Sequence, residues 1–205
     1  MDSLIGVDEI YHRSGAEVLD LYPFPHFTWT PVYEEPVANS LLDWLRTSSQ
    51  WVGTEKEHWR ASAFAVSPKD IPATVKPVFS GASLRSLRMR LEQAYEQRFS
   101  NAVSIQAFRH GPGDQTAIHK DYTPGKIRFT HRLITYFHDS TFDPEQGKLR
   151  LFEEGDPEPR LVREYSPRHN SGASLAFGPA SLHQVAGVTT GFRYSLVWSF
   201  TAGQD

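Results

Sequence analysis

The chain has 205 residues, of which 39% are hydrophobic, 22% charged and 13% aromatic, a composition that fits a soluble globular domain and excludes a disordered or fibrous chain. It contains no cysteine, which removes disulfides, thiolate nucleophiles, iron–sulfur clusters and cysteine-ligated zinc, so any metal must sit on His, Asp or Glu. A net charge of −3 gives no global attraction for nucleic acid or for an anionic membrane.

Residues 1–10 carry Asp2, Asp8 and Glu9 and no long apolar run, so no secretion signal is expected there. No stretch approaches the ~18 apolar residues of a membrane helix, and a cytoplasmic location is the expectation. Tyr22-Pro23-Phe24-Pro25-His26-Phe27, followed by Trp29, reads as an extended strand or a cover segment. From Pro36 to Ser49 the apolar residues Val37, Leu41, Leu42 and Leu45 recur at helical spacing, with Pro36 suited to a first turn. A second stripe joins Leu84, Leu87, Leu91, Ala94, Tyr95 and Phe99. Off that stripe, Glu92 and Glu96 alternate with Arg85 and Arg88, which makes a solvated helix face rather than a nucleic-acid patch.

After Asn101 the period shortens and Gly and Pro punctuate the runs, the pattern of a sandwich or barrel. Strands are predicted at 103–110, 115–121, 132–138, 148–152, 161–165, 173–177, 182–185 and 192–200, with a turn at Gly111-Pro112-Gly113. Eight strands is the jelly-roll number. The expected fold is mainly β, a jelly roll buttressed by N-terminal helices. It forms a single domain, 1–205, with helical support and cover over 1–100, the β core over 101–200 and a tail at 201–205.

His119 and Asp121 stand two apart in a predicted strand, so the pleat puts them on one face, about 6.6 Å apart at Cα. His183 follows 64 positions later on a short apolar strand. Two imidazoles and one carboxylate make a facial set that leaves other positions of Fe(II) open. In the last strand Arg193, Ser195, Val197 and Ser199 share one face and Phe192, Tyr194, Leu196 and Trp198 the other. A strand this apolar is buried, and a buried arginine needs an anion. That anion is either a bound carboxylate clamped by Arg193 and Ser195 or one of the protein's own acids.

The runs Ile105 to Gly113, His119-Lys120-Asp121, Arg132 to Phe137, Gly147-Lys148-Leu149, Ser174 to Phe177, His183 and Arg193-Tyr194-Ser195 resemble, in order and spacing, the 2-oxoglutarate- and Fe(II)-dependent oxygenases of the prolyl 4-hydroxylase-like group. The resemblance covers about residues 103–200, with a weaker echo at Pro23-Phe24-Pro25-His26 and the helix after it. It implies a double-stranded β-helix in which His119, Asp121 and His183 bind Fe(II). It also implies that Arg193, with Ser195 beside it, holds the distal carboxylate of 2-oxoglutarate. The implied chemistry is a dioxygenase reaction using O2, with ascorbate in support, that converts 2-oxoglutarate to succinate and CO2 while hydroxylating an unactivated C–H bond.

Relatives often carry tyrosine nine residues before the first ligand; here His110 stands there and is expected to contact the cosubstrate. The usual Gly-Gly reads Gln146-Gly147. The presence of Asp121 favours a hydroxylase over a halogenase. For substrate and lid, the expected residues are Tyr122, His131, Arg132, Thr135 and Trp59, with only one of Arg132 and Thr135 pointing inward. Loops 122–130 and 139–146 are the expected lids, Gly125 a hinge, and Trp51, Trp59 and Arg60 close the mouth. The expected substrate is a small molecule such as a free or carrier-bound amino acid or peptide, which makes a carrier protein a candidate partner; no membrane partner is expected, and the absence of a basic stripe argues against nucleic acid. The alternatives are a non-catalytic jelly-roll module binding metal or sugar, and a protein side-chain hydroxylase.

Overall fold

The structure, a computed structural model, describes residues 10–12, 18–56, 59–122, 124–125 and 129–203. Its strands are β1 (His26–Trp29), β2 (Val52–Lys56), β3 (Trp59–Ala65), β4 (Phe99–His110), β5 (Gln115–Thr116), β6 (His131–Phe137), β7 (Leu149–Glu153), β8 (Arg160–Tyr165), β9 (Ser171–Ala176), β10 (Leu182–Val185) and β11 (Arg193–Ala202). Two helices accompany them, α1 (Glu35–Thr47) and α2 (Gly81–Tyr95). None is long and apolar enough to cross a membrane.

The large sheet runs β1-β9-β6-β11-β4-β3-β2, with β5 paired to β3, and the small sheet runs β10-β7-β8. All described pairings are antiparallel. This is the jelly-roll double-stranded β-helix expected from the sequence, with more strands than the eight counted there.

Register decides which side chains face the space between the sheets, because directly opposed residues of an antiparallel pair share a face. On β11, Tyr194, Leu196, Trp198 and Phe200 join the core that Leu41, Leu45, Leu87 and Leu91 build under the two helices. Arg193, Ser195, Val197 and Ser199 therefore point the other way, into the interior. Their partners on β6 are Tyr136 opposite Ser195, Ile134 opposite Val197 and Arg132 opposite Ser199. On β4 they are His110 opposite Arg193 and Phe108 opposite Ser195. Tyr136 closes a second core with Phe24, Leu149, Leu151, Ala173 and Leu175, which joins the two sheets.

Four expectations change. The first hundred residues supply three strands of the large sheet as well as the helices. Phe99 begins β4 instead of ending the second helix, because Glu96 takes a left-handed φ of 52° and terminates it. The predicted strand 115–121 stops at Thr116: β5 belongs to the large sheet, whereas His119 forms a lone bridge to His183 of the small sheet, so the chain changes sheets between them. Of the predicted tail, Thr201 and Ala202 extend β11, and 204–205 lie outside the described residues.

Candidate active site

The bridge between His119 and His183 is made by two backbone hydrogen bonds of 2.9 Å, and it brings their rings to 4.3 Å between centroids. Each ring turns Nδ1 to a carbonyl two residues before it, Ala117 for His119 and Ser181 for His183, both at 2.9 Å. Donation there fixes the tautomer and leaves Nε2 as a lone-pair donor. Asp121 lies with one carboxylate oxygen 3.5 Å from His183 Nε2. One ligand atom from each of His119, Asp121 and His183 falls within 4.8 Å of the others. The three converge as the resemblance implies, although His119 and Asp121 lie beyond the end of β5, at a bridge and a bend, and not in one regular pleated strand.

The electrostatics suit a cation. Burial raises the Asp121 carboxyl, but the adjacent His183 ring and the charge of Arg132 outweigh it and hold it below the usual carboxylate range. Burial, then the neighbouring His183, lowers His119. At neutral pH the site therefore offers one carboxylate and a neutral His119 imidazole. His183 sits opposite Leu151 and shares its inward face, and Phe177 stacks on it at 6.1 Å with an interplanar angle of 11°. Arg132 covers the same Phe177 ring at 5.0 Å and ion-pairs with Asp121.

Deeper in the interior Arg193 is 2% exposed, and its Nε and Nη1 have no hydrogen-bond partner. Its guanidinium lies 5.2 Å from the Tyr136 ring centroid and is hydrogen-bonded with the Tyr136 hydroxyl. Among the described residues no acid pairs with it. His110, directly across the β4–β11 ladder, is 3% exposed with both ring nitrogens unpaired. Burial first, and then the Arg193 charge, push His110 well below its ordinary pKa, so it is neutral. A buried cation with two unpaired nitrogens, beside a buried imidazole with both nitrogens unpaired, forms a cradle for a small anion, since leaving such groups unpaired is costly. Ser195 is buried on the same face, one pleat away.

Two residues that shape this cradle stand in the runs that carry the resemblance, but sequence reasoning assigns neither a place in it. Tyr136 reads as one aromatic among many until the register places it under Arg193. Gly147 has φ +57°, and a Cβ there would lie 3.1 Å from Arg193 Cδ and 3.1 Å from Val188. The second glycine of the family's Gly-Gly is thus present where the arginine needs room, and Gln146 replaces only the first.

The remaining expected residues divide. Trp59 of β3 meets Phe108 at 5.9 Å between ring centroids, which sets it beside the inward face. Arg132 points inward, and Thr135 outward. Thr135 lies 3.5 Å from the Tyr33 hydroxyl in the helix-side core, so the structure separates it from the site. His131 is likewise outward, opposite Phe200 and wedged between Tyr95 and Phe99 at 4.5 and 4.7 Å. Tyr122 is half-buried, directly after Asp121. Trp51 packs on Phe64 and Tyr194, on the helix side, and Arg60 pairs with Asp114. In the expected lid 122–130, residues 123 and 126–128 lie outside the described residues. The other lid is strapped down at its end, because Gln146 Oε1 accepts from Thr189 and Thr190 and Gly147 donates to Gly187.

No family model and no curated protein matches the sequence. Solved structures do match. A prolyl-4-hydroxylase of Pseudomonas putida has a TM-score of 0.71 at 16% identity, covering 90% of this chain and 96% of its own. A prolyl hydroxylase of Trichoplax adhaerens, in complex with a peptide fragment of the hypoxia inducible factor oxygen degradation domain, reaches 0.68 at 10% identity over 86% and 83% of the two chains. The viral collagen prolyl hydroxylase of Paramecium bursaria Chlorella virus-1, solved with 2-oxoglutarate, reaches 0.61 at 10% identity over 85% and 94%. With its His-Asp-His cluster and a buried arginine that no acid among the described residues pairs, inside the same frame, the chain has the fold of the prolyl 4-hydroxylase-like 2-oxoglutarate/Fe(II) oxygenases.

Proposed function

We propose that this chain is an Fe(II)- and 2-oxoglutarate-dependent dioxygenase that hydroxylates an unactivated C–H bond of an amino acid, free, carrier-bound or within a peptide. It would act as a single domain in the cytoplasm. The observation that carries this reading is the pairing of a ready metal cluster with a buried guanidinium that has no acid partner among the described residues. A module that only holds metal or sugar gives no reason to bury Arg193 with Nε and Nη1 unpaired. The relatives named prolyl hydroxylases, one of them holding a peptide, support an amino-acid or peptide substrate.

His119 and His183 would hold the metal through Nε2 and Asp121 through one carboxylate oxygen, and Asp121 would thereby leave a halide no place, which favours hydroxylation. Arg193 and Tyr136 would receive the distal carboxylate of 2-oxoglutarate, with Ser195 alongside. His110, being neutral, has one N–H to donate and adds no charge. Fe(II) in this site supplies O2 chemistry that couples decarboxylation of 2-oxoglutarate, to succinate and CO2, with C–H hydroxylation. Leu149 and Leu151, buried in the core that Tyr136 closes, keep water from the carboxylate end, which strengthens every charge interaction there.

Anaerobic loading with Fe(II) and 2-oxoglutarate, then admission of O2 with ascorbate present, is expected to release succinate in step with O2 uptake, slowly without substrate and faster with it. Failure of the iron-loaded protein to bind 2-oxoglutarate overturns the reading. The Gly147→Ala variant gives a local check. Its methyl group would crowd Arg193, and its left-handed backbone adds about 1–2 kcal/mol of strain. The expected result is weaker 2-oxoglutarate binding with unchanged metal stoichiometry, measured by calorimetry on the Mn(II)-loaded protein.

A further inference from the structure

On β6 three alternate side chains face the interior, Arg132, Ile134 and Tyr136, fixed by their partners Ser199, Val197 and Ser195. A strand advances about 3.3 Å per residue, so this row spans about 13 Å at Cα. At one end Tyr136 lies against Arg193. At the other, Arg132 donates from Nη1 to Asp121, and its Nε lies 3.5 Å from Ser199 Oγ. Ile134, between them, packs on the apolar core that joins the sheets. The interior thus presents a cation, an apolar step and a second cation in line. A five-carbon dicarboxylate has the same pattern, with a charge at each end and methylenes between.

Resting on the oxygenase reading, we propose that Arg132 is the second carboxylate-binding cation of this site, and that it holds the carboxylate next to the keto group of 2-oxoglutarate at the metal end. A guanidinium carries five N–H donors. Its bond to Asp121 uses one of them, so the same group can steady Asp121 and receive an incoming carboxylate. Stacking on Phe177 fixes the plane of the guanidinium, and the ring's other neighbour is the ligand His183. The metal end and the carboxylate-binding group are therefore held by one packed unit.

A group that merely props Asp121 would affect metal affinity; one that binds the carboxylate affects the cosubstrate even when metal is saturating. The test is calorimetric titration of 2-oxoglutarate into Mn(II)-saturated wild type, Arg132→Gln and Arg132→Lys under anaerobic conditions, with Mn(II) affinity measured separately by electron paramagnetic resonance. We expect Arg132→Gln to weaken 2-oxoglutarate binding about tenfold or more at saturating Mn(II), as loss of a charge-assisted bond implies, and Arg132→Lys to recover part of it. Unchanged 2-oxoglutarate affinity in Arg132→Gln, whether or not Mn(II) binding weakens, overturns the proposal. Wild type that takes up Mn(II) but no 2-oxoglutarate would instead overturn the oxygenase reading beneath it.

Discussion

Replacing His183 with alanine is expected to abolish iron retention and succinate formation together while the protein stays folded. His183 is one of three side chains whose ligand atoms converge, and two ligands without the third do not make a closed face on the metal. The structural cost is moderate. The variant loses the Nδ1 bond to the Ser181 carbonyl and the stacking on Phe177, but the bridge to His119 is made by backbone and survives. A destabilisation of about 1–3 kcal/mol is in proportion to those losses. Metal analysis, succinate assay and thermal unfolding of the same preparation check this result. His131→Ala is the informative control, because that imidazole lies on the helix side between Tyr95 and Phe99. It is expected to lower stability and leave iron content untouched. Iron retained at wild-type affinity in His183→Ala would mean that the cluster is not the metal site.

The part of the site legible in the sequence is the part that depends on residue type and strand alternation. His119, Asp121 and His183 are distinctive side chains, and the alternation over 192–200 separates Arg193 and Ser195 from Tyr194 and Leu196 without knowledge of any neighbour. What was not legible depends on pairing. The choice between Arg132 and Thr135 turns on β6 lying with Arg132 opposite Ser199, which no local pattern states. The same register promotes Tyr136 to a neighbour of Arg193 and sends His131 to the helix side. β2 is hidden for a different reason. At the sheet's edge, its Val-Gly-Thr-Glu-Lys run has no apolar alternation, and Val52 is exposed. An edge strand is held by its ladder to one neighbour, not by a buried face, so it leaves little hydrophobic signature. Likewise the end of α2 depends on the left-handed turn at Glu96, and the apolar stripe runs past it to Phe99 without a break.

Arg193→Met is expected to cost function and not stability. The wild-type guanidinium is buried, with Nε and Nη1 unpaired and no acid beside it among the described residues, so it opposes folding of the ligand-free protein. Methionine fills much of the same volume without charge, and exchanging buried ionic groups for apolar ones is often neutral or stabilising by about 1–4 kcal/mol. The ligand-free variant should therefore unfold at or above the wild-type temperature. Adding 2-oxoglutarate reverses the order. At 100 times Kd a ligand stabilises the native state by about 2.7 kcal/mol, and wild type gains this, whereas the variant has lost the charge-assisted bonds that hold the distal carboxylate. Each such bond is worth about 1.5–3 kcal/mol, so affinity should fall about 100-fold or more. The crossing of the two stability curves as 2-oxoglutarate is added to Mn(II)-loaded protein is the measurement. A variant that is markedly destabilised without ligand would show that Arg193 already has a counter-charge in the folded chain. The cradle would then be a structural ion pair with no place for a cosubstrate.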